Sequence, residues 1–144
     1  MKPGIHFKKI WFDNEVVELR IESFDGDSFF TTKVYVGHQD FDALIDGLIT
    51  FKDHVHGGIF DIKLGGFGPE YANGAFDARL HFQNRGKIHV TIKSQSDYKE
   101  FGIKSVASEA TLYLVSEPAL LDNFIGELRK LQGTVTDEAT LEAA

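Results

Sequence analysis

The chain has 144 residues, 42% apolar and 26% charged, with a net charge of -7 and no cysteine. That length suffices for one domain with its own core. The composition excludes disulfides, thiol chemistry and thiolate metal sites, and without a concentrated Lys/Arg patch nucleic acid is not expected as a partner.

Met1 to Phe7 carries no apolar secretory core, and no apolar run approaches membrane-spanning length. A soluble cytoplasmic protein with no membrane partner is therefore expected. Residues 5–12 read as a first strand and Asp13-Asn14 as a tight turn. Val17, Leu19 and Ile21 then alternate with Glu18, Arg20 and Glu22 as far as Asp25-Gly26, a dipeptide favoured in two-residue hairpin loops. Such a loop pairs Ile21 with Phe30, Val17 with Val34 and Glu18 with Lys33. Extending the first turn inward adds Lys9, giving a Lys9–Glu18–Lys33 row across three strands. Gly37 ends the third strand, and Phe41, Leu44, Ile45, Leu48 and Phe51 recur at helical spacing with Asp40 as the expected N-cap. Gly47 interrupts this helix at about 1 kcal/mol relative to Ala, which a close helix–sheet contact would explain.

Ile59 to Leu64 reads as a fourth strand, followed by a Gly-rich loop over 65–75 that holds Phe67 and Tyr71. From Phe76 to Lys93 the pattern has period two on both sides of Asn84-Arg85-Gly86, the mark of a hairpin with one buried and one wet face. A three-residue loop there pairs Phe82 with Ile88, Leu80 with Val90 and Ala78 with Ile92, keeping the apolar residues on one face. It sets His81 opposite His89, Arg79 opposite Thr91 and Asp77 opposite Lys93 on the other. Residues 94–105 read as a second polar loop containing Tyr98 and Phe101, and Ala107 to Val115 as the last strand. A second helix runs from about Pro118 to Leu131, with Ser116 as the expected N-cap and Gly133 beyond its end.

Residues 134–144 are small and acidic and read as a flexible tail after a single domain over 1–133. No internal repeat stands out. The pattern predicts an α+β domain: one curved antiparallel sheet of six to seven strands with both helices packed on one face.

The search for chemistry yields few constellations. His54-x-His56, read as an extended segment with both rings on one side, and the facing pair His81 and His89 have spacings a metal can use. A helix C-terminus for the first pair and a solvated sheet face for the second explain them as well. Gly66-Phe67-Gly68 lacks the Lys-Ser/Thr and the following helix of a phosphate loop. No Gly-x-Ser-x-Gly elbow occurs, and no catalytic residue, cofactor or metal ligand is assigned. The candidate recognition residues are Phe67, Tyr71, Tyr98 and Phe101 in the polar loops, with Arg79, His81 and His89 on the wet face. Loop aromatics also serve as lids over the ends of small cores, and that reading stands beside the first.

Tyr35-Val36-Gly37 before the first helix, Phe67-Gly68-Pro69-Glu70-Tyr71 before the hairpin and Pro118-Ala119-Leu120-Leu121-Asp122-Asn123-Phe124 in the last helix resemble strings in a scattered group of small uncharacterised bacterial α+β proteins. That resemblance implies no activity. Proteins similar in size, acidity and layout include immunity partners of bacterial toxins, an analogy of fold and charge. Two functions are thus carried forward. One is a non-catalytic binding protein that docks a protein partner, of immunity or regulatory type. The other is a small-molecule or metal-binding protein, or an enzyme, with a pocket between sheet and helices served by His54, His56 or Tyr71. A homodimer joined through a sheet edge or the wet face is a third, plainer reading.

Overall fold

A computed structural model describes residues 1–83 and 86–144. They form, in order, β1 (Gly4–Phe12), β2 (Val16–Phe24), β3 (Phe29–Gly37), α1 (His38–Phe51), β4 (Ile59–Gly65), β5 (Ala75–Phe82), β6 (Ile88–Gln95), β7 (Lys99–Phe101), β8 (Lys104–Val106), β9 (Glu109–Ser116), α2 (Pro118–Gln132) and β10 (Glu138–Glu142). The class is α+β with antiparallel sheets, as the pattern predicts. The single curved sheet is not found. The strands divide into a first sheet ordered β10-β1-β2-β3, a second ordered β4-β5-β6-β9, and a two-stranded β7-β8 ribbon. The division falls where each helix intervenes: α1 carries the chain from the edge strand β3 to the edge strand β4, and α2 from β9 to β10.

The β5–β6 hairpin has the derived register, with Leu80 opposite Val90, Ala78 opposite Ile92 and His81 opposite His89. Two of its three turn residues, Asn84 and Arg85, lie outside the described residues; Gly86 has φ +71°, the left-handed conformation that such a turn asks of glycine. The β2–β3 hairpin differs from expectation. Asp25 Oδ1 accepts from the N–H groups of Asp27 and Ser28, and Asp25 N–H donates to the Ser28 carbonyl, so the loop spans four residues instead of two. Ile21 therefore pairs with Thr32 and Val17 with Val36. Because the change in pairing is two residues, the same side chains still face the core. A bulge between Lys9 and Trp11 places Trp11 opposite Glu18 and Lys9 opposite Leu19, which removes the Lys9–Glu18–Lys33 row.

Three further expectations change. Residues 94–105 are not a loop, since β6 runs to Gln95 and the β7–β8 ribbon follows. Neither helix has a side-chain cap: the N-cap positions are Gly37 and Glu117, with Asp40 in the first turn of α1. Ser116 faces inward from the end of β9, and its hydroxyl donates to the Glu142 carbonyl. The acidic tail is structured, because Glu138–Glu142 pairs with β1 and buries Ala139 and Leu141. Two alternating apolar residues in a five-residue strand are a faint signal, yet they suffice when the β1 edge offers unpaired N–H and C=O groups.

The helices lie side by side and antiparallel. Lys52 near the end of α1 pairs with Asp122 at the start of α2 at 3.0 Å, and Gln132 at the end of α2 donates to Asp42 at the start of α1. Both bury their apolar stripe in a core shared with the inner faces of both four-stranded sheets. Phe7 of β1 meets Phe76 of β5 and Phe124 of α2 edge to face, with centroids 5.9 and 5.4 Å apart. Phe51 of α1 stacks on Phe82 at 4.7 Å. Such ring pairs add about 0.5–1.5 kcal/mol each beyond the area they bury.

The two halves follow one plan. Each is a four-stranded antiparallel sheet whose last strand feeds a helix. Buried Val17, Leu19, Ile21 and Ser23 of β2 correspond to buried Ile88, Val90, Ile92 and Ser94 of β6. The interior row Leu141–Ile5–Ser23–Phe30 corresponds to Leu64–Phe76–Ser94–Ala110. The buried stripe Phe41, Leu44, Ile45, Leu48 and Phe51 has the same spacing as Leu121, Phe124, Ile125, Leu128 and Leu131. Even the buried side-chain oxygens that lack a hydrogen-bond partner among the described residues, those of Ser23 and Ser94, are equivalent.

Gly47 is explained by packing. A Cβ on it would fall 2.6 Å from Cζ of Phe60 and closer still to Cε1. Helix propensity alone would make Gly47→Ala stabilising by about 1 kcal/mol. Overpacking against the ring should reverse the sign, giving a net loss of about 1–3 kcal/mol in urea denaturation. A Gly47→Ala variant more stable than the parent would show that the contact does not decide this position.

Candidate functional site

The outer face of the second sheet is set by the pleat of its four strands. Its rows are Ile59–His81–His89–Val115, Asp61–Arg79–Thr91–Tyr113, Lys63–Asp77–Lys93–Thr111 and Gly65–Ala75–Gln95–Glu109. Arg79 donates twice to Asp61, Nε to Oδ1 at 2.7 Å and Nη2 to Oδ2 at 3.0 Å. The Arg79 guanidinium holds the Asp61 carboxyl below its ordinary range. Asp77 goes the other way: partial burial pushes its carboxyl up, and Lys63 and Lys93 on either side offset part of that. Apolar side chains flank the charged centre, with Ile59, Tyr113 and Val115 all exposed.

The predicted recognition residues occupy three places. Phe67 and Tyr71 lie in the 66–74 loop, where the Tyr71 ring covers Gly66 so closely that a Cβ there would sit 2.7 Å from ring atoms. The loop is tied back to the body through Gly68 N–H to Gln95 Oε1 at 3.3 Å and Asn73 Nδ2 to Glu18 Oε2 at 2.8 Å. Tyr98 and Phe101 belong to the β7–β8 ribbon, Tyr98 half-buried at its base and Phe101 73% exposed at its end. Loop and ribbon both leave the second sheet at its Gly65–Ala75–Gln95–Glu109 end, so these four aromatics share one end of the molecule. His81 and His89 stand at the other end and Arg79 between.

The ribbon turns on Gly102-Ile103 between paired Phe101 and Lys104, with Gly102 at φ +66°, a two-residue turn that begins on a left-handed glycine. Every residue from Lys99 to Ser105 is exposed, and Ile103 stands fully in solvent beside Phe101. Sequence reasoning singled out Phe101 and missed Ile103. The short Lys99–Phe101 and Lys104–Val106 strands are too brief for a period-two pattern to register; the signal present was Gly between two large apolar residues.

A cleft of about 640 Å³ opens where β3 and β4 diverge. Tyr35 and Val36 of β3, Asp40, Ala43 and Leu44 of α1, Phe60 to Gly65 of β4 and Tyr71 to Gly74 of the loop line it. Of the pocket residues expected from sequence it contains Tyr71 but neither histidine. His54 caps the end of α1 instead, its backbone N–H donating to the Phe51 carbonyl and its ring Nδ1 lying 2.9 Å from the Thr50 carbonyl, and the His54–His56 segment is a turn rather than extended chain. His81 Nδ1 accepts from the Gln83 side-chain amide at 3.0 Å. Among the described residues no three His, Asp or Glu side chains converge to hold a metal ion, and no helix is long and apolar enough to cross a membrane.

No family model, no curated protein and no solved structure matches this chain. The site therefore rests on its own geometry.

The Asp61–Arg79 pair gives a test of the outer face. At pH 7, Asp61→Asn should cost less than about 1 kcal/mol, because an exposed pair is solvent-screened. The Asp61 carboxyl is depressed below 3.8 in the folded state. Its stabilising contribution is therefore complete above that value and lost as pH falls through the folded pKa. Urea midpoints of parent and variant should differ at neutral pH and converge in acid; a gap that persists in acid would assign the effect to packing.

Proposed function

We propose that this chain is a non-catalytic binding protein of immunity or regulatory type, which docks a protein partner through the tip of the β7–β8 ribbon. The observation that carries this reading is the exposure of Phe101 and Ile103 on a ribbon whose turn and flanking residues are all in solvent. A two-stranded ribbon is marginal by itself, and its large apolar tip adds nothing to the core. Buried in a partner's pocket, the same two side chains form the kind of anchor that dominates interface energy. Tyr71 and Phe67, on the loop at the same end of the second sheet, extend the apolar area. The net charge of -7 favours approach of a basic partner.

The test is a Phe101→Ala/Ile103→Ala double variant in affinity capture from lysate of the source organism. Its thermal stability should match the parent, since surface changes of this kind usually fall within about 0.5 kcal/mol. A stoichiometric partner should be lost or weakened by about thirtyfold, the effect of removing a hot spot. A partner captured equally well by both proteins would rule out the ribbon as the docking site. The 640 Å³ cleft favours a second reading, a pocket protein, because its volume lies in the range of ligand sites.

A further inference from the structure

The two halves meet at two equivalent junctions, β9 with β10 and β3 with β4, which are tied differently. At the second, the Lys33 carbonyl accepts from Gly74 N–H at 2.9 Å and the Thr32 hydroxyl donates to the Gln95 carbonyl at 2.6 Å, and beyond that corner the β4 edge is open. Strand parity shows which backbone groups each edge presents. Asp25 N–H bonds Ser28, so the alternating pairs of β3 with β2 include Val34 and Val36 and leave Lys33 and Tyr35 facing outward from the sheet. Phe82 N–H bonds Gly58, so Phe60, Ile62 and Leu64 bond β5 while Asp61 and Lys63 present N–H and C=O at the free edge. The same count leaves Val115 facing outward from β9, and Thr140 and Glu142 from β10.

At the β9–β10 junction one outward group of each of these three residues is satisfied by the chain itself. Ala144 N–H donates to the Val115 carbonyl at 2.7 Å, the Ser116 hydroxyl to the Glu142 carbonyl at 2.7 Å, and Thr140 N–H to the Glu127 carboxylate of α2 at 2.9 Å. At the β3–β4 junction Gly74 N–H satisfies the Lys33 carbonyl, but in the positions equivalent to Ser116, Glu127 and Glu142 stand residues that cannot make these bonds, and the Asp61 and Lys63 backbone groups have no partner among the described residues. Val36 replaces Ser116 and Gly47 replaces Glu127, while Gly65, in place of Glu142, has φ +70° and turns the chain away. The 640 Å³ cleft is the space that results, and Tyr35, Asp61 and Lys63 all line it.

From this asymmetry we infer that the cleft is a peptide-binding groove, in which an extended segment of a partner protein adds as a further strand to the free edge of β4. Six consecutive β4 residues line the groove, so about five residues of extended chain can pair along it. Side chains opposite Phe60, Ile62 and Leu64 would face Val36, Ala43 and Leu44 and should be small and apolar. The alternate side chains fall on the charged face. There, Asp77 lies between Lys63 and Lys93, leaving one lysine in excess, and an acidic residue opposite Lys63 completes the row. The occupant is thus an alternating apolar/polar peptide with an acidic residue in its polar set. The groove is separate from the ribbon tip and does not depend on the function assigned to it.

The test uses a phage-displayed random heptapeptide library selected on the full chain, with enriched peptides synthesised and titrated by fluorescence polarisation. The expected result is enrichment of alternating apolar/acidic peptides that shift the Asp61 and Lys63 amide resonances and slow their exchange. Two variants should weaken binding by about tenfold or more. Ala43→Trp fills the groove from an exposed position on α1, and Lys63→Pro removes one edge donor without touching the β5 ladder. Phe101→Ala/Ile103→Ala should bind the peptide normally, which separates failure of the groove from failure of the ribbon. Absence of enrichment, peptides indifferent to both groove variants, or protection of the same amides by a concentration-dependent dimer of the chain would each overturn the proposal.

Discussion

The close approach of the two four-stranded sheets at Gly74 is the contact on which the remaining geometry depends. Gly74 N–H donates to the Lys33 carbonyl at 2.9 Å, and beside it the Thr32 hydroxyl crosses to the Gln95 carbonyl at 2.6 Å. A Cβ on Gly74 would overlap both Thr32 Oγ1 and the Gln95 carbonyl oxygen, so no other residue lets the backbones come so near. From this pinned corner β3 and β4 splay apart, α1 packs beneath them, and the cleft opens between. The same corner fixes Gln95, where β6 ends and the chain leaves for the exposed ribbon, and whose side chain holds Gly68 of the aromatic loop.

Once the halves are seen as one plan used twice, their differences become informative. Equivalent rows of buried side chains serve equivalent packing, and there the halves agree closely, down to Ser23 and Ser94. The edges disagree. Exposed N–H and C=O groups invite pairing with other chains, and folded proteins commonly cover or charge them. Glu127, Ser116 and Ala144 cover one junction. At the other, Gly47 is committed to admitting the Phe60 ring and has no side chain to offer an edge donor. A packing requirement and an open edge therefore follow from the same residue.

What was legible in the sequence follows the range of the physics involved. The β5–β6 register could be derived because unbroken alternation on both strands penalises any one-residue slip. Both helices were legible from their apolar spacing. The β2–β3 loop was not, because the Asp25 side chain captured two N–H groups and lengthened it without changing which residues face inward. The division into two sheets, the β10 strand and the repeated plan depend on partners distant in the chain and leave little local trace; Glu138–Glu142 alone looks like an acidic end. At the candidate sites, Tyr71 and Phe101 were visible as aromatics in polar surroundings, whereas Ile103 and the β4 edge acquire meaning only from the backbone that presents them.

Residue-resolved amide hydrogen exchange, read by NMR on the free protein, tests the central claim that the β10 edge is tied down at Thr140 while the equivalent β4 edge is open at Lys63. Ile62 and Leu64 should be protected by the β5 ladder while Asp61 and Lys63, between and beside them in the same strand, exchange fast. Thr140, the counterpart of Lys63, should exchange more slowly than Lys63 by about tenfold, the equivalent of one ordinary hydrogen bond. Equal protection of Thr140 and Lys63 would contradict the account, since it would mean that the β4 edge is already satisfied and that the cleft offers no backbone groups to a partner.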